Sequence, residues 1–258
     1  MISKYNYNKF LILSSIFIIL ITLLLFFNNF INISGYWYDE WCTLLNADPN
    51  SDLRVFFERL VGNHEKPYEN VPAIYYLVLR FFFSLFGYTS ENGRIFSIIF
   101  YILSFISVFL LSRKTFDKSQ SLFVSSVFLS TPLIFWMGNE TRVDMFLVFF
   151  STINSLFFIN LIDKNNKKNA ALLFFSNVLT LSIYPLTISL IASQIIFSII
   201  KKNFNLSFLI ILSVAVYFAL NYEYILDKST NLSDHFATLN FSFFIGLYFN
   251  VFFGSILF

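Results

Sequence analysis

Long apolar runs alternate with short polar stretches along the chain. The runs cover residues 10–27, 94–112, 119–137, 143–162, 169–200, 206–222 and 241–258. Most match the ~20 residues that a helix needs to cross ~30 Å of hydrocarbon. The run 169–200 is too long for one crossing. Tyr184 and Pro185 stand at its middle, and lysines stand at both ends (Lys164, Lys167 and Lys168 before it, Lys201 and Lys202 after it). Two short helices turning at Tyr184 and Pro185 put both lysine clusters on one side, so the pattern predicts a hairpin. The first run exceeds the ~7–15 residues of a signal-peptide core, and Asn28 and Asn29 do not make a small-residue cleavage site. It is expected to remain as an anchor. The pattern thus predicts an all-α, polytopic membrane helical bundle of about eight spans.

The run 71–86 behaves differently. It is short, carries Pro72 near its start and holds Arg80 in its middle. A charge at mid-bilayer costs ~3 kcal/mol even on a lenient insertion scale. If this run spanned, the basic turns around Arg113, Lys164 and Lys201 would all lie opposite to the positive-inside tendency. If it lies along the outer interface as an amphipathic helix, those turns join Lys4 and Lys9 inside. The expectation is therefore one extracytoplasmic loop over 32–93 with interfacial helices, and a cytoplasmic N-terminus in the inner membrane.

Composition narrows the class further. The chain has 258 residues, of which 57% are hydrophobic and only 12% charged. Soluble domains carry about 25% charge. A net charge of +2, spread over small basic clusters, gives no electrostatic footprint for nucleic acid. A single cysteine, Cys42, leaves no internal disulfide and no C-x-x-C pair. Cys42 reads as an apolar filler rather than a nucleophile.

This layout collects the acids outside. In SGYWYDEWCTLL the pair Asp39–Glu40 sits among aromatic residues. A carboxylate there can act as a general base on an acceptor, or Asp39 and Glu40 can hold a divalent metal. Equally, the stretch can be an interface belt with two acids. His64 and Lys66, in HEKP, can grip a phosphate near the headgroups. Arg142 and Asp144 open a span in NETRVD; two residues apart on a helix they would not face one another. Asp144 can alternatively serve the helix dipole. Glu223, Asp227, Asp234 and His235 show no recognisable ligand spacing.

The ordered set YWYDEW, HEKPYENVPAIYYL, LFGYTSENGR, SRKTFDKS and TRVD resembles the GT-C polytopic glycosyltransferases that use polyprenyl-phosphate-linked sugars. Within them it is most similar to the protein O-mannosyltransferase and aminoarabinose-transferase branch. The resemblance covers roughly residues 10–200. It implies inverting transfer of a sugar from a polyprenyl phosphate to an extracytoplasmic lipid, glycan or protein acceptor. It assigns Asp39 as the catalytic acid–base residue, with Glu40 and Asp144 as further carboxylates. His64, Lys66 and Arg142 fall on the donor-phosphate side, with Lys66 offsetting charge on the leaving phosphate. The prolines after His64 are spread out as PYENVP, and TRVD has valine where the family carries proline. Members usually run longer, so the resemblance implies an incomplete GT-C-like domain over 1–258. The competing expectations are a transporter or flippase-like permease for a lipid-linked or anionic solute, and a non-catalytic membrane subunit. The spans are nearly free of charge, which favours chemistry at one face over translocation.

Overall fold

The computed structural model describes residues 4–32, 38–60 and 72–222. His64, Lys66 and the last-loop residues Glu223, Asp227, Asp234 and His235 lie outside the described residues. Among those described, eleven α-helices and one 3-10 turn make up the regular structure. They are α1 (Lys4–Asn32), α2 (Tyr38–Asn46), α3 (Leu53–Leu60), α4 (Ala73–Phe86), α5 (Ser90–Ser112), α6 (Lys118–Ser130), α7 (Pro132–Asn139), α8 (Val143–Asp163), α9 (Lys167–Ile183), the 3-10 turn Pro185–Thr187, α10 (Ile188–Ile200) and α11 (Phe204–Leu220). The protein is an all-α membrane helical bundle. By length and composition, α1, α5 and α8 can each cross a membrane, and α6 with α7 makes a fourth, bent candidate.

Local chemistry explains the breaks. The run 119–137 is not one straight span: α6 and α7 bend by 65° at Thr131–Pro132. Pro132 has no N–H to offer the carbonyl of Phe128 four residues back. The Thr131 hydroxyl and amide take that carbonyl instead, at 2.7 Å and 3.3 Å. The Tyr101 hydroxyl, from α5, donates to the Leu129 carbonyl at 2.8 Å. The bend is thus stabilised by donors that replace the missing helical ones. Gly138, on α7, lies so close to α1 and α5 that an added Cβ would come within 2.7 Å of the Phe26 and Tyr101 rings.

The run 169–200 breaks at Tyr184 and Pro185, as its pattern predicts. α9 and α10 then both join α8 and α11 in one apolar cluster that includes Phe158, Leu173, Leu181, Ile191 and Ile210. A small groove between Leu161, Asn165 and Ala170 on one side and Asn203, Asn205 and Leu209 on the other brings the α8–α9 and α10–α11 turns together. Lys114 reaches Asp163 at 3.0 Å and adds the α5–α6 turn to the same end. All three basic turns therefore share one end of the bundle, and α5 runs from there to the opposite end.

That opposite end is where α4 lies. At 14 residues it measures ~21 Å, short of the ~30 Å of a hydrocarbon core. Tyr75 and Phe82, two turns apart on α4, both meet the ring of Phe96 on α5. α4 therefore crosses α5 near its start. Tyr75, Tyr76, Leu79 and Phe83 are buried in a cluster with Phe56, Phe96, Phe146 and Ile183. Arg80 does not face lipid. Its guanidinium donates to the Ser51 hydroxyl at 2.9 Å, to the Pro49 carbonyl at 3.1 Å and to the Ser51 carbonyl. The charge that argued against a span instead ties α4 to the α2–α3 connection.

Candidate functional site

α2 opens with Asp39 and Glu40 in its first turn, where carboxylates complement the helix dipole. Its other end is anchored from two directions. The Leu44 carbonyl accepts from the Tyr88 hydroxyl at 3.1 Å, and the Leu45 carbonyl accepts from Arg59 at 2.8 Å. The Arg59 bond supplies a side-chain partner to one of the last carbonyls of the helix, and the Tyr88 bond adds to the Ala47 amide that the Leu44 carbonyl already accepts at 3.0 Å. Cys42 is buried beneath α2, in keeping with an apolar filler. Neighbouring α5 starts from a well-defined corner: Gly87 takes φ 101°, and Thr89 caps the helix by accepting from the Asn92 amide. That corner aims Arg94 at α2.

The two adjacent acids then have different surroundings. Glu40 is 3% exposed; its Oε1 accepts the Thr141 amide at 2.9 Å, and its Oε2 lies 3.6 Å from Arg94 Nη2. The Asp39 side chain is 40% exposed, and its Oδ2 lies 3.5 Å from Arg142 Nη2. Arg142 also approaches Glu140 at 3.9 Å and Asp144 at 3.6 Å. One guanidinium thus stands among three carboxylates, none within ordinary hydrogen-bond distance of it.

The contact between Arg142 and Asp144 corrects the sequence expectation that the two point to different partners. Arg142 is not helical: it is the residue before α8, with φ −136° and ψ 166°. Its extended backbone swings the side chain back across the first turn, where Asp144 stands. Residue spacing on a helix says nothing about a residue that caps one.

Two participants were given no role from the sequence. Arg94 entered only as the last residue of LFGYTSENGR, and Glu140 was one more external acid. Glu140 is buried, and its Oε2 has no hydrogen-bond partner. Burial pushes its carboxyl up to about 7; Arg142 opposes this, and Glu40, Asp144 and Asp39 add to it. Glu140 is therefore a group that gains or loses its proton near neutrality, next to the cation that serves Asp39.

Among the described residues, no group of three or more His, Cys, Asp or Glu side chains is placed to hold a metal ion. Asp39 and Glu40 diverge, Glu40 towards Arg94 and Thr141, Asp39 towards Arg142. Of the sequence-derived site, the structure brings Asp39, Glu40, Arg142 and Asp144 together at the end opposite to the basic turns.

Comparison with known proteins adds the family. The profile of the dolichyl-phosphate-mannose-protein mannosyltransferase family matches residues 70–223. No curated protein and no solved structure gives a significant match. The matched region holds Arg94, Glu140, Arg142 and Asp144 and runs from just before α4 through α11; Asp39 and Glu40 precede it. With more than half of its length matched, the chain belongs to the dolichyl-phosphate-mannose-protein mannosyltransferase family and is a GT-C-type membrane glycosyltransferase.

Proposed function

We propose that the chain transfers a sugar from a polyprenyl-phosphate donor to an extracytoplasmic lipid, glycan or protein acceptor, with Asp39 as the base. The acceptor's O–H or N–H proton passes to the Asp39 carboxylate. The freed electron pair attacks the anomeric carbon from the face opposite the phosphate. The bond between that carbon and the phosphate oxygen breaks, and the polyprenyl phosphate leaves with its electrons. The anomeric configuration inverts. Arg142 offsets the charge on the departing phosphate, and Asp144 steadies Arg142; His64 and Lys66 are further donor-side groups. The reactive end faces away from the cytoplasm in the inner membrane, because the three basic turns at the other end fit the cytoplasmic side.

The observation that carries this reading is the divergence of Asp39 from Glu40. The Asp39 and Arg142 side chains are 40% and 30% exposed, so both can touch a substrate. Glu40 is enclosed by protein. The test uses the full chain in liposomes with mannosyl-phosphopolyprenol and a hydroxylated acceptor. Release of polyprenyl phosphate, coupled to a product of inverted anomeric configuration, is expected. A product of retained configuration, or release that is equally fast in Asp39→Asn, contradicts the assignment.

A further inference from the structure

The acids and their partners are paired in register. Glu40 holds the amide of Thr141, and their chain neighbours, Asp39 before Glu40 and Arg142 after Thr141, form the exposed pair. Whatever fixes Thr141 against α2 therefore also fixes how far Arg142 stands from Asp39. Thr141 is fully buried and is held from the other side by α5. A Cβ added to Gly93 would come within 2.7 Å of Thr141 Cγ2 and 2.8 Å of its Oγ1. Real Cβ atoms do not approach that closely, so the glycine leaves the room that Thr141 occupies. Arg94, next to Gly93, completes the enclosure by facing Glu40.

We infer that Glu40 and Gly93 form a clamp on Thr141 that sets the separation of Asp39 and Arg142, and that Glu40 is a positioning residue rather than a catalytic one. Glu40 pulls Thr141 towards α2 through the amide, and the bare face of Gly93 lets it come. The inference rests on the reading of Asp39 and Arg142 as the substrate-facing pair. It extends that reading to two residues that never touch the substrate, one of them without a side chain.

The clamp has a signature that a general loss of stability lacks. Gly93→Ala drives Thr141 away from α5 and lengthens its bond to Glu40. The Thr141 hydroxyl is buried with no hydrogen-bond partner, so Thr141→Ala forfeits no bond. It removes the two atoms that the new methyl group would strike. The double variant Gly93→Ala/Thr141→Ala then restores the fit, leaving the Thr141 Cβ, at 3.3 Å, to yield slightly.

The experiment combines hydrogen exchange on the full chain in lipid, read at the amide of residue 141, with the transfer rate at saturating donor. Gly93→Ala and Glu40→Ala are expected to lose protection at that amide. They should slow transfer by roughly tenfold to a hundredfold, as a displacement of ~1 Å does to aligned groups. Glu40→Gln keeps the accepting oxygen and should recover most of both. Gly93→Ala/Thr141→Ala should recover both as well. Wild-type protection and rate in Gly93→Ala would overturn the inference. So would a double variant that folds yet regains neither. A wild-type chain that transfers no sugar contradicts the functional reading alone, while the exchange pattern still decides whether the clamp exists.

Discussion

Two polar clusters cross the bundle at different depths. At mid-bundle, Asn154 on α8, Ser176 and Asn177 on α9, Gln194 on α10 and Ser213 on α11 form one uncharged network. Asn154 donates to Asn177 at 2.6 Å and to Ser176 at 3.0 Å, Gln194 donates to Asn154 at 2.6 Å, and Asn177 donates to Ser213 at 3.1 Å. All five side chains are buried. At the end of the bundle, Asp39, Glu140 and Asp144 surround Arg142 at 3.5 to 3.9 Å. The first cluster is close, neutral and enclosed. The second is charged and loosely paired, and the side chains of its Asp39–Arg142 pair are 40% and 30% exposed. Short bonds between amides and hydroxyls hold four helices in register, because hydrocarbon offers these groups no alternative partner. Contacts of 3.5 to 3.9 Å to a shared guanidinium hold the second cluster less closely. Buried polarity that builds the bundle is thus separate from charged, partly exposed polarity at its end.

The largest expected effect tests that separation at the proposed reactive end. Asp39→Asn keeps the shape and removes the base, so transfer should fall by roughly a hundredfold to ten-thousandfold. Arg142→Ala should cost on the order of a hundredfold or more by removing charge stabilisation of the leaving phosphate, with Arg142→Lys recovering part of it. At mid-bundle the signs reverse. Asn154→Leu strips partners from Ser176, Asn177 and Gln194 and should cost about 1–2 kcal/mol of stability. Its transfer rate, read below the melting transition, should stay close to wild type. An Asn154 variant that keeps its stability but loses transfer would collapse the distinction.

A smaller effect concerns pH. The Glu140 carboxyl has its folded value raised from 4.5 to about 7 by burial. A raised acid favours the folded state when protonated, so this contribution is complete below the unfolded value and is lost as pH rises through the folded one. The melting temperature should therefore fall between about pH 5 and about pH 8, and Glu140→Gln should flatten that slope. Transfer should fall over the same range, since ionised Glu140 competes with Asp39 for Arg142. A slope that Glu140→Gln leaves unchanged would remove Glu140 from the account. The smallest effect is expected from Cys42→Ser, within about 1 kcal/mol of wild type, which frees the chain for thiol labelling. On that background, cysteines at Glu91 and at Lys118 should label from opposite sides of the membrane. Labelling of both from one side contradicts the proposed orientation.

Much of the fold was legible because apolar length is a strong signal. The break at Tyr184 and Pro185 followed from a run too long to span once. The run 71–86 was set apart by its length and by Arg80; in the structure it forms a 14-residue helix whose Arg80 is bonded to Ser51 and the Pro49 carbonyl. The bend at Pro132 was missed because hydropathy continues smoothly through it, while the missing N–H does not register in a hydropathy run. At the candidate site, Asp39 and Arg142 were singled out by residue type and by the loop layout, and the structure brings them within 3.5 Å of each other. The burial of Glu40 was not legible, since its amide partner lies 101 residues away and an amide has no sequence signature. Arg94 and Gly93 were hidden for the same reason: their roles depend on how closely α5 approaches the chain before α8.

The most direct measurement is a paired one. Transfer rate and melting temperature are read on Asp39→Asn and Asn154→Leu in the same lipid. The account predicts that Asp39→Asn melts with the wild type and transfers at least about a hundredfold more slowly, while Asn154→Leu melts lower and transfers at nearly the wild-type rate. An Asp39→Asn chain that is folded and still transfers at the wild-type rate would contradict it.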